Sequence, residues 1–116
     1  MTKYKIIKGA ETVAESDSRL EIGVHFDVRR MDLGEFVVEI INGKKKESVS
    51  VPEFFRRWAL EIRELTGLSQ AVFAKQYGIP KRSVENWESK TERNSSKAPA
   101  YVLALLERAV RDDYGP

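Results

Sequence analysis

The segment from Leu68 to Glu88 constrains the fold of this chain more than any other stretch. Its sequence is LSQAVFAKQYGIPKRSVENWE, in which apolar residues recur at helical intervals on both sides of Gly78. Glycine adopts a positive φ without steric cost, as a sharp turn between two helices requires. The pattern therefore predicts two short helices joined by a glycine turn, with Ile79, Val84 and Trp87 facing inward.

The remaining surface of the second helix in this segment is polar. Arginine can donate two hydrogen bonds to guanine, and asparagine can pair with adenine, when a helix enters the major groove of DNA. Two helices with such a surface on the second one have the layout of a helix-turn-helix motif. The sequence therefore predicts a DNA-binding surface formed by Lys81, Arg82, Ser83, Glu85 and Asn86.

The same segment resembles the helix-turn-helix of the phage-repressor and xenobiotic-response-element (Cro-like) family of bacterial regulators. The resemblance covers the C-terminal half only, roughly residues 54 to 110. It implies that Ser69 and Gln70 open the first motif helix and are candidate DNA contacts, since the family uses this glutamine to contact phosphate. The alternative for Gln70 is an ordinary surface glutamine. The residues that carry the resemblance are Leu68, Ser69, Gln70, Phe73, Ala74, Gly78, Ile79, Ser83, Val84, Trp87 and Glu88.

Three residues depart from the pattern of that family. Pro80 stands where a serine or threonine often caps the second helix, and proline fits a first helical turn but provides no side-chain cap. Val72 stands where many members carry glutamate, and Lys90 where glycine commonly ends the helix. The polar stretch 91–98 is also longer than usual, which leaves the path of this loop open.

Basic residues cluster around the second motif helix, although the net charge of the chain is only +2. Such a cluster could neutralise several phosphates and make binding dependent on salt. The alternative is a solvated charged surface, because three glutamates are interleaved. The cluster consists of Lys81, Arg82, Lys90, Arg93 and Lys97, and the glutamates are Glu85, Glu88 and Glu92.

The first fifty residues show the patterns of β-strands. From Leu20 to Arg29 apolar and polar residues alternate strictly, which is the period of a half-buried strand. Asn42-Gly43 lies between two further strand candidates and favours a two-residue type I′ hairpin turn. Tyr4 to Lys8 is another strand candidate, whereas the polar stretch from Glu11 to Ser18 indicates a loop. Together these segments predict a three- or four-stranded antiparallel meander.

The second half of the chain has helical patterns. Ser50 and Glu53 have the spacing of a capping box, before a helix that starts near Pro52 and ends at Gly67. Pro99 suits the first turn of a final helix. The expected fold class is therefore α+β, with an antiparallel β-sheet region over residues 1–51 and a four- or five-helix helix-turn-helix domain over residues 52–116.

Composition excludes several kinds of site. The chain has no cysteine, which excludes disulfides and thiolate zinc sites, and its single histidine, His25, cannot form a metal cluster alone. No stretch approaches the roughly 20 apolar residues that span a bilayer, and the N-terminus lacks the apolar run of a signal peptide. We therefore expect no membrane contact and a cytoplasmic, nucleoid-associated location in a bacterial cell. No pattern indicates catalytic residues or a cofactor, so an enzyme is not expected.

Two functions remain open from the sequence. The first is a sequence-specific transcriptional regulator, a repressor or autoregulator of phage, mobile-element or bacterial origin. One such domain reads only a few base pairs, so a homodimer on a palindromic operator is expected, with recognition helices roughly 34 Å apart. The N-terminal sheet is the expected dimer contact, through an edge strand or the face that bears Val37 and Ile41.

The second function is a protein-binding inhibitor, an antitoxin or an anti-CRISPR protein, whose helix-turn-helix regulates its own operon. The feature that favours it is the β-rich segment 1–51, because a DNA reader alone does not need these residues. In that case residues 1–51 bind another protein.

Overall fold

The computed structural model describes residues 2–28, 33–90 and 98–115. Four strands form one antiparallel sheet and five α-helices accompany it, which confirms the α+β class. In chain order the elements are β1 (Thr2–Lys8), β2 (Glu11–Ser16), α1 (Arg19–Val28), a 3-10 turn (Leu33–Glu35), β3 (Phe36–Asn42), β4 (Lys45–Ser50), α2 (Val51–Glu64), α3 (Gln70–Tyr77), α4 (Lys81–Glu88) and α5 (Ala100–Tyr114).

The sheet consists of two hairpins joined side by side, in the order β2-β1-β3-β4. The strand predicted from Tyr4 to Lys8 is confirmed as part of β1. The loop predicted from Glu11 to Ser18 is wrong, because residues 11–16 form β2. This strand is polar because it is an edge strand with none of its side chains fully buried. The sheet also differs from a simple meander, since β1 rather than β2 pairs with β3.

Both hairpins turn through two residues, of which the first is glycine. Lys8 pairs with Glu11 around Gly9, and Asn42 pairs with Lys45 around Gly43, with φ values of 62° and 63° at the two glycines. The predicted hairpin is therefore confirmed, but its turn lies one residue later than the predicted Asn42-Gly43 pair. A positive φ at the first central position only is typical of a type II′ turn rather than type I′.

The strand predicted from Leu20 to Arg29 is wrong, because this segment forms helix α1 up to Val28, and Arg29 lies outside the described residues. The alternating pattern also contains a helical one, since Ile22 and Phe26 are one turn apart and both are buried. At the helix start, the Glu21 backbone N–H donates to Ser18 Oγ at 3.3 Å. Residues 18 to 21 thus hold an N-cap signal that outweighs the strand pattern.

Helix α1 lies against the helical half of the molecule through Gly23. A Cβ atom at this position would lie 2.6 Å from the Ala100 Cβ and 3.3 Å from the Trp58 ring. Only glycine therefore permits this close approach of α1 to α2 and α5. The region 1–51 contains this helix in addition to the sheet.

Capping serines begin the first two helices of the second half, and the sequence predicts the first of these caps, at Ser50. Ser50 Oγ accepts a hydrogen bond from the Glu53 backbone N–H at 3.2 Å, and α2 follows. Ser69 Oγ accepts one from the Val72 N–H at 3.3 Å at the start of α3. Helix α5 starts directly after Pro99.

One hydrophobic core joins the sheet and the helices. Ile6 and Val38 from the inner face of the sheet belong to the same buried cluster as Phe54 and Trp58 of α2. The Tyr4 and Phe54 rings pack edge to face with centroids 5.7 Å apart. The sheet therefore supports α2, on which α4 and α5 pack in turn.

Candidate nucleic-acid interface

The turn between α3 and α4 fixes the two helices relative to one another. Gly78 has a φ of 66°, and the next residue, Ile79, donates its backbone N–H to the Ala74 carbonyl at 2.9 Å. This bond closes α3 in the manner of a Schellman cap. Ala74 and Val84 are almost fully buried on the facing sides of the two helices. Helices α3 and α4 therefore form the compact two-helix unit that the sequence predicts for residues 68–88.

The outward side of α4 carries polar groups with few partners within the protein. Lys81, Arg82 and Glu85 are exposed, and Asn86 is half-buried beside them. In the described part of the chain, neither Lys81 nor Arg82 makes an ion pair. Both cations lie in the first turn of α4, where backbone N–H groups point outward and the helix dipole is positive. This end of α4 can therefore bind an anion or a base edge without breaking an internal contact.

Pro80 begins α4 without a side-chain cap, as the departure from the family pattern predicts. Its carbonyl accepts the Ser83 backbone N–H at 2.9 Å, so the first turn is still closed. Ser83 itself is half-buried. The Ser83 hydroxyl thus lies at the border of the polar surface rather than at its centre.

A part-buried ion pair holds the other end of α4. Arg63 of α2 donates from Nε and Nη2 to the two carboxylate oxygens of Glu88, at 2.8 and 2.7 Å. The Glu88 side chain is only 8% exposed, and the hydrogen bonds from Arg63 raise the pKa of that guanidinium. Arg63 also donates to the Leu68 carbonyl at 2.8 Å. One side chain therefore joins α2, the start of the motif and the end of α4.

Gln70 belongs to the same network. Its amide Nε2 donates to Glu88 Oε1 at 3.2 Å, and the side chain is half-buried. Ser69 is exposed, with its Oγ engaged as the cap of α3. Both candidates that the resemblance implied thus have partners inside the motif, and Gln70 links its first helix to its last residue.

The C-terminal end of α3 is attached to α5. The Tyr77 hydroxyl donates to the Asp113 carboxylate at 2.8 Å, and the Gln76 amide donates to the Tyr114 hydroxyl at 3.0 Å. Burial, together with the bond to Asp113, raises the pKa of Tyr77 to about 12. The two-helix unit is therefore held at both ends, by α2 and by α5.

The remaining candidates lie beyond α4. Lys90 is exposed two residues after the helix ends. Arg93 and Lys97 lie outside the described residues, as does most of the connecting loop. The structure thus brings Lys81, Arg82, Glu85 and Asn86 together on one helix.

Arg63 could not be identified as a site residue from the sequence. Its partner Glu88 is 25 residues away along the chain, and nothing in the residues around Arg63 marks it as half of an ion pair. Only the packing of α4 on α2 brings the two together.

Other kinds of site receive no support from the geometry. Among residues 2–28, 33–90 and 98–115, no three histidine, aspartate or glutamate side chains are grouped so that they could hold a metal ion. None of the helices in these ranges is long and apolar enough to cross a membrane.

Comparisons with protein-family models, with curated proteins and with solved structures found no match.

Proposed function

We propose that this protein is a sequence-specific DNA-binding transcriptional regulator that represses its own promoter. The observation that carries the proposal is the pair of exposed cations Lys81 and Arg82 in the first turn of α4, the second helix of a two-helix unit. Neither has an ion-pair partner among the described residues. In helix-turn-helix proteins the N-terminal residues of the second helix contact base edges in the major groove. The proposal places the protein in the bacterial cytoplasm, at the nucleoid.

In this proposal Arg82 and Asn86 read bases. They lie one helical turn apart on the outward side of α4, so both can face the floor of the same groove. Arginine pairs bidentately with guanine and asparagine with adenine, each worth about 1 to 3 kcal/mol of discrimination. Glu85 on the same side accepts hydrogen bonds from cytosine.

Lysines supply the part of the affinity that does not depend on sequence. Lys81 at the start of α4 and Lys90 beyond its end lie on either side of the base-reading residues and are exposed. Each phosphate that they neutralise releases counterions, which makes binding weaker as salt rises. Arg93 and Lys97 extend this basic set along the sequence.

A single copy of α4 reads too little DNA for a unique operator. The helix has 8 residues and is about 12 Å long, which corresponds to three or four base pairs at most. A homodimer on a palindromic operator doubles the site, with the two α4 helices about one DNA turn apart.

The proposal is tested by selecting duplexes from a random library and then measuring affinity by fluorescence anisotropy. Arg82→Ala and Asn86→Ala are expected to lower the affinity for the selected site about tenfold or more, and each to relax the preference at a different base pair. Arg57→Ala is the matched control, because Arg57 lies on α2 and is paired with Glu47 and Glu53. No enriched sequence, or equal losses in all three variants, would refute the proposal.

A protein-binding inhibitor, either an antitoxin or an anti-CRISPR protein, is the second candidate. The observation that favours it is β4, which is an edge strand of the sheet in the part of the chain that the structure describes and whose residues Lys45 to Ser48 are exposed. Such an edge can accept a strand from another protein. If it does, Ser48→Pro will abolish co-purification with the product of a neighbouring gene and leave DNA binding unchanged. The Arg82→Ala variant will lose DNA binding and still co-purify with that gene product.

A further inference from the structure

Large apolar side chains are exposed on two neighbouring helices, α1 and α5. Leu20 and Val24 are one turn apart on α1 and are 38% and 37% exposed. Tyr101 and Leu105 are one turn apart on α5 and are 59% and 64% exposed. We call these four residues the α1–α5 face. A contiguous patch of exposed apolar groups marks an interaction site more often than a single exposed group does.

The two helices that carry this face are adjacent. Helix α1 contacts α5 directly, since a Cβ at Gly23 would lie 2.6 Å from that of Ala100. One turn earlier on α1, Leu20 lines the same surface groove as Ala104 and Arg108 of α5. The helices are therefore antiparallel, and Val24 lies level with the start of α5 while Leu20 lies level with its middle.

The outer face of the sheet is less suited to an apolar contact. Val37 is 37% exposed there, but Ile41 is only partly accessible. Ion pairs cross this face, from Lys3 to Glu15 at 3.0 Å and from Lys46 to Glu39 at 3.1 Å. A partner on this face would desolvate these charges, and apolar contacts do not compensate for that cost in free energy.

We infer that the α1–α5 face binds a second copy of this chain, with α5 antiparallel to α5 of the partner and a twofold axis near Leu105. The same patch on both copies must then be complementary to itself. Leu105 of one copy packs on the partner's Leu105 at the axis. Leu20 and Val24 widen the apolar centre on both sides.

The order of residues along α5 supports a second copy as the occupant. Tyr101 lies about 6 Å before Leu105 along the helix axis, and Arg108 about 4.5 Å after it. An antiparallel copy therefore brings Arg108 level with the partner's Tyr101 to within about 1.5 Å, twice per dimer. Arg108 is exposed and makes no ion pair among the residues that the structure describes. It is thus free to lie against that aromatic ring as a cation–aromatic contact.

This inference deepens the proposed function, because it names the surface that would join two copies on a palindromic operator. The two remain separable, since the oligomeric state is measured without DNA. A dimer that binds no specific duplex would refute only the proposed function. A monomer that reads a site would refute only the interface.

Sedimentation equilibrium of the full chain from 1 to 200 µM provides the test. The unsubstituted protein is expected to be a dimer, and Leu105→Asp is expected to raise the dissociation constant at least a hundredfold. Leu105 is largely exposed in one copy, so the substitution does not disturb the core, and circular dichroism checks this. Val37→Asp places the same charge on the outer face of the sheet and is expected to remain dimeric. A monomeric unsubstituted protein, or a dimeric Leu105→Asp variant, would overturn the inference.

Cysteine cross-linking tests the position of the axis even if both aspartate variants dissociate. The chain has no cysteine, so Leu105→Cys introduces a single thiol. On mild oxidation it is expected to form a covalent dimer across the axis, whereas Val37→Cys is expected to stay monomeric on a denaturing gel. Equal or absent cross-linking of the two variants would place the contact elsewhere and overturn the inference.

Discussion

The cationic side chains of α2 and α4 are used in opposite ways. On α2, all three arginines are bonded to carboxylates, at distances between 2.6 and 2.9 Å. On α4, Lys81 and Arg82 have no such partner in the part of the chain that the structure describes. A paired cation uses its hydrogen bonds within the protein and stabilises the fold. An unpaired cation at a helix start can donate its hydrogen bonds to a ligand instead.

The pairs on α2 also join separate elements. Arg57 binds Glu47 of β4 as well as Glu53 of its own helix, and Arg63 binds Glu88 of α4. The arginines of α2 thus hold the sheet and the motif to one helix. Composition alone does not distinguish these two uses of positive charge, because it counts paired and unpaired cations alike.

Breaking the most buried pair should give the largest effect. Arg63→Ala leaves the Glu88 carboxylate, which is 8% exposed, without its bidentate partner. We expect the free energy of unfolding to fall by about 2 to 4 kcal/mol, measured by urea denaturation at pH 7. The double variant Arg63→Met with Glu88→Leu should recover part of this loss, because it removes both charges together. A loss below about 1 kcal/mol for Arg63→Ala would contradict this account of the pair.

The free cations of α4 should instead control the salt dependence of DNA binding. We expect Lys81→Ala to lower the magnitude of the slope of log affinity against log salt by about 1, because one phosphate contact is lost. Arg56→Ala should leave that slope unchanged, since Arg56 is bonded to Glu53 at 2.6 and 2.8 Å. Affinity measured for one duplex at several potassium chloride concentrations provides both slopes. Equal slopes in the two variants would remove the distinction between α2 and α4.

The paired set on α2 should also respond to acid. Hydrogen bonds from Arg56, and then from Arg57, lower the pKa of Glu53 from 4.5 to about 2, although burial opposes the shift. Ionised Glu53 therefore stabilises the fold fully above pH 4.5, and this contribution disappears as the pH falls towards 2. Unfolding free energies of the native chain and Glu53→Gln are expected to differ by a constant amount above pH 5 and to converge below pH 4.5. A difference that stays constant down to pH 2.5 would argue against these bonds.

The smallest expected effect is on the stability of α4 variants. Lys81→Ala and Arg82→Ala remove exposed side chains that make no ion pair within the described ranges, so the free energy of unfolding should change by less than about 0.5 kcal/mol. Thermal denaturation followed by circular dichroism measures this change. A larger loss would mean that these cations also support the fold, which would weaken the contrast with α2.

Local signals were sufficient to predict the helical half from the sequence. The cap at Ser50 and the glycine at position 78 each act on the backbone within a few residues, so their effects can be predicted without knowledge of tertiary contacts. Helix α1 has a local signal of the same kind, the cap at Ser18, but the strict alternation of residues 20–29 favours a strand instead. The position of α1 depends on Gly23 lying against Ala100, which is a contact between distant parts of the chain.

The candidate site also contains some features that local sequence predicts and others that depend on contacts between distant residues. Residues on the outward side of α4 follow from helical spacing, which is why Arg82 and Asn86 could be named in advance. The link from Arg63 through Glu88 to Gln70 crosses three helices and has no signature in sequence spacing. Such a network can be identified only from the three-dimensional packing of the helices.

The pairing of β1 with β3 has a consequence for how the chain folds. Each hairpin closes through a two-residue turn and can form within microseconds, independently of the other. The central pair instead joins Lys8 to Phe36 and Thr2 to Asn42, with β2 and α1 in the loop between them. The entropy of closing this long loop must be overcome before its contacts form. The union of the two hairpins should therefore set the folding rate, and substitutions in either turn should affect it less than substitutions at the β1–β3 border.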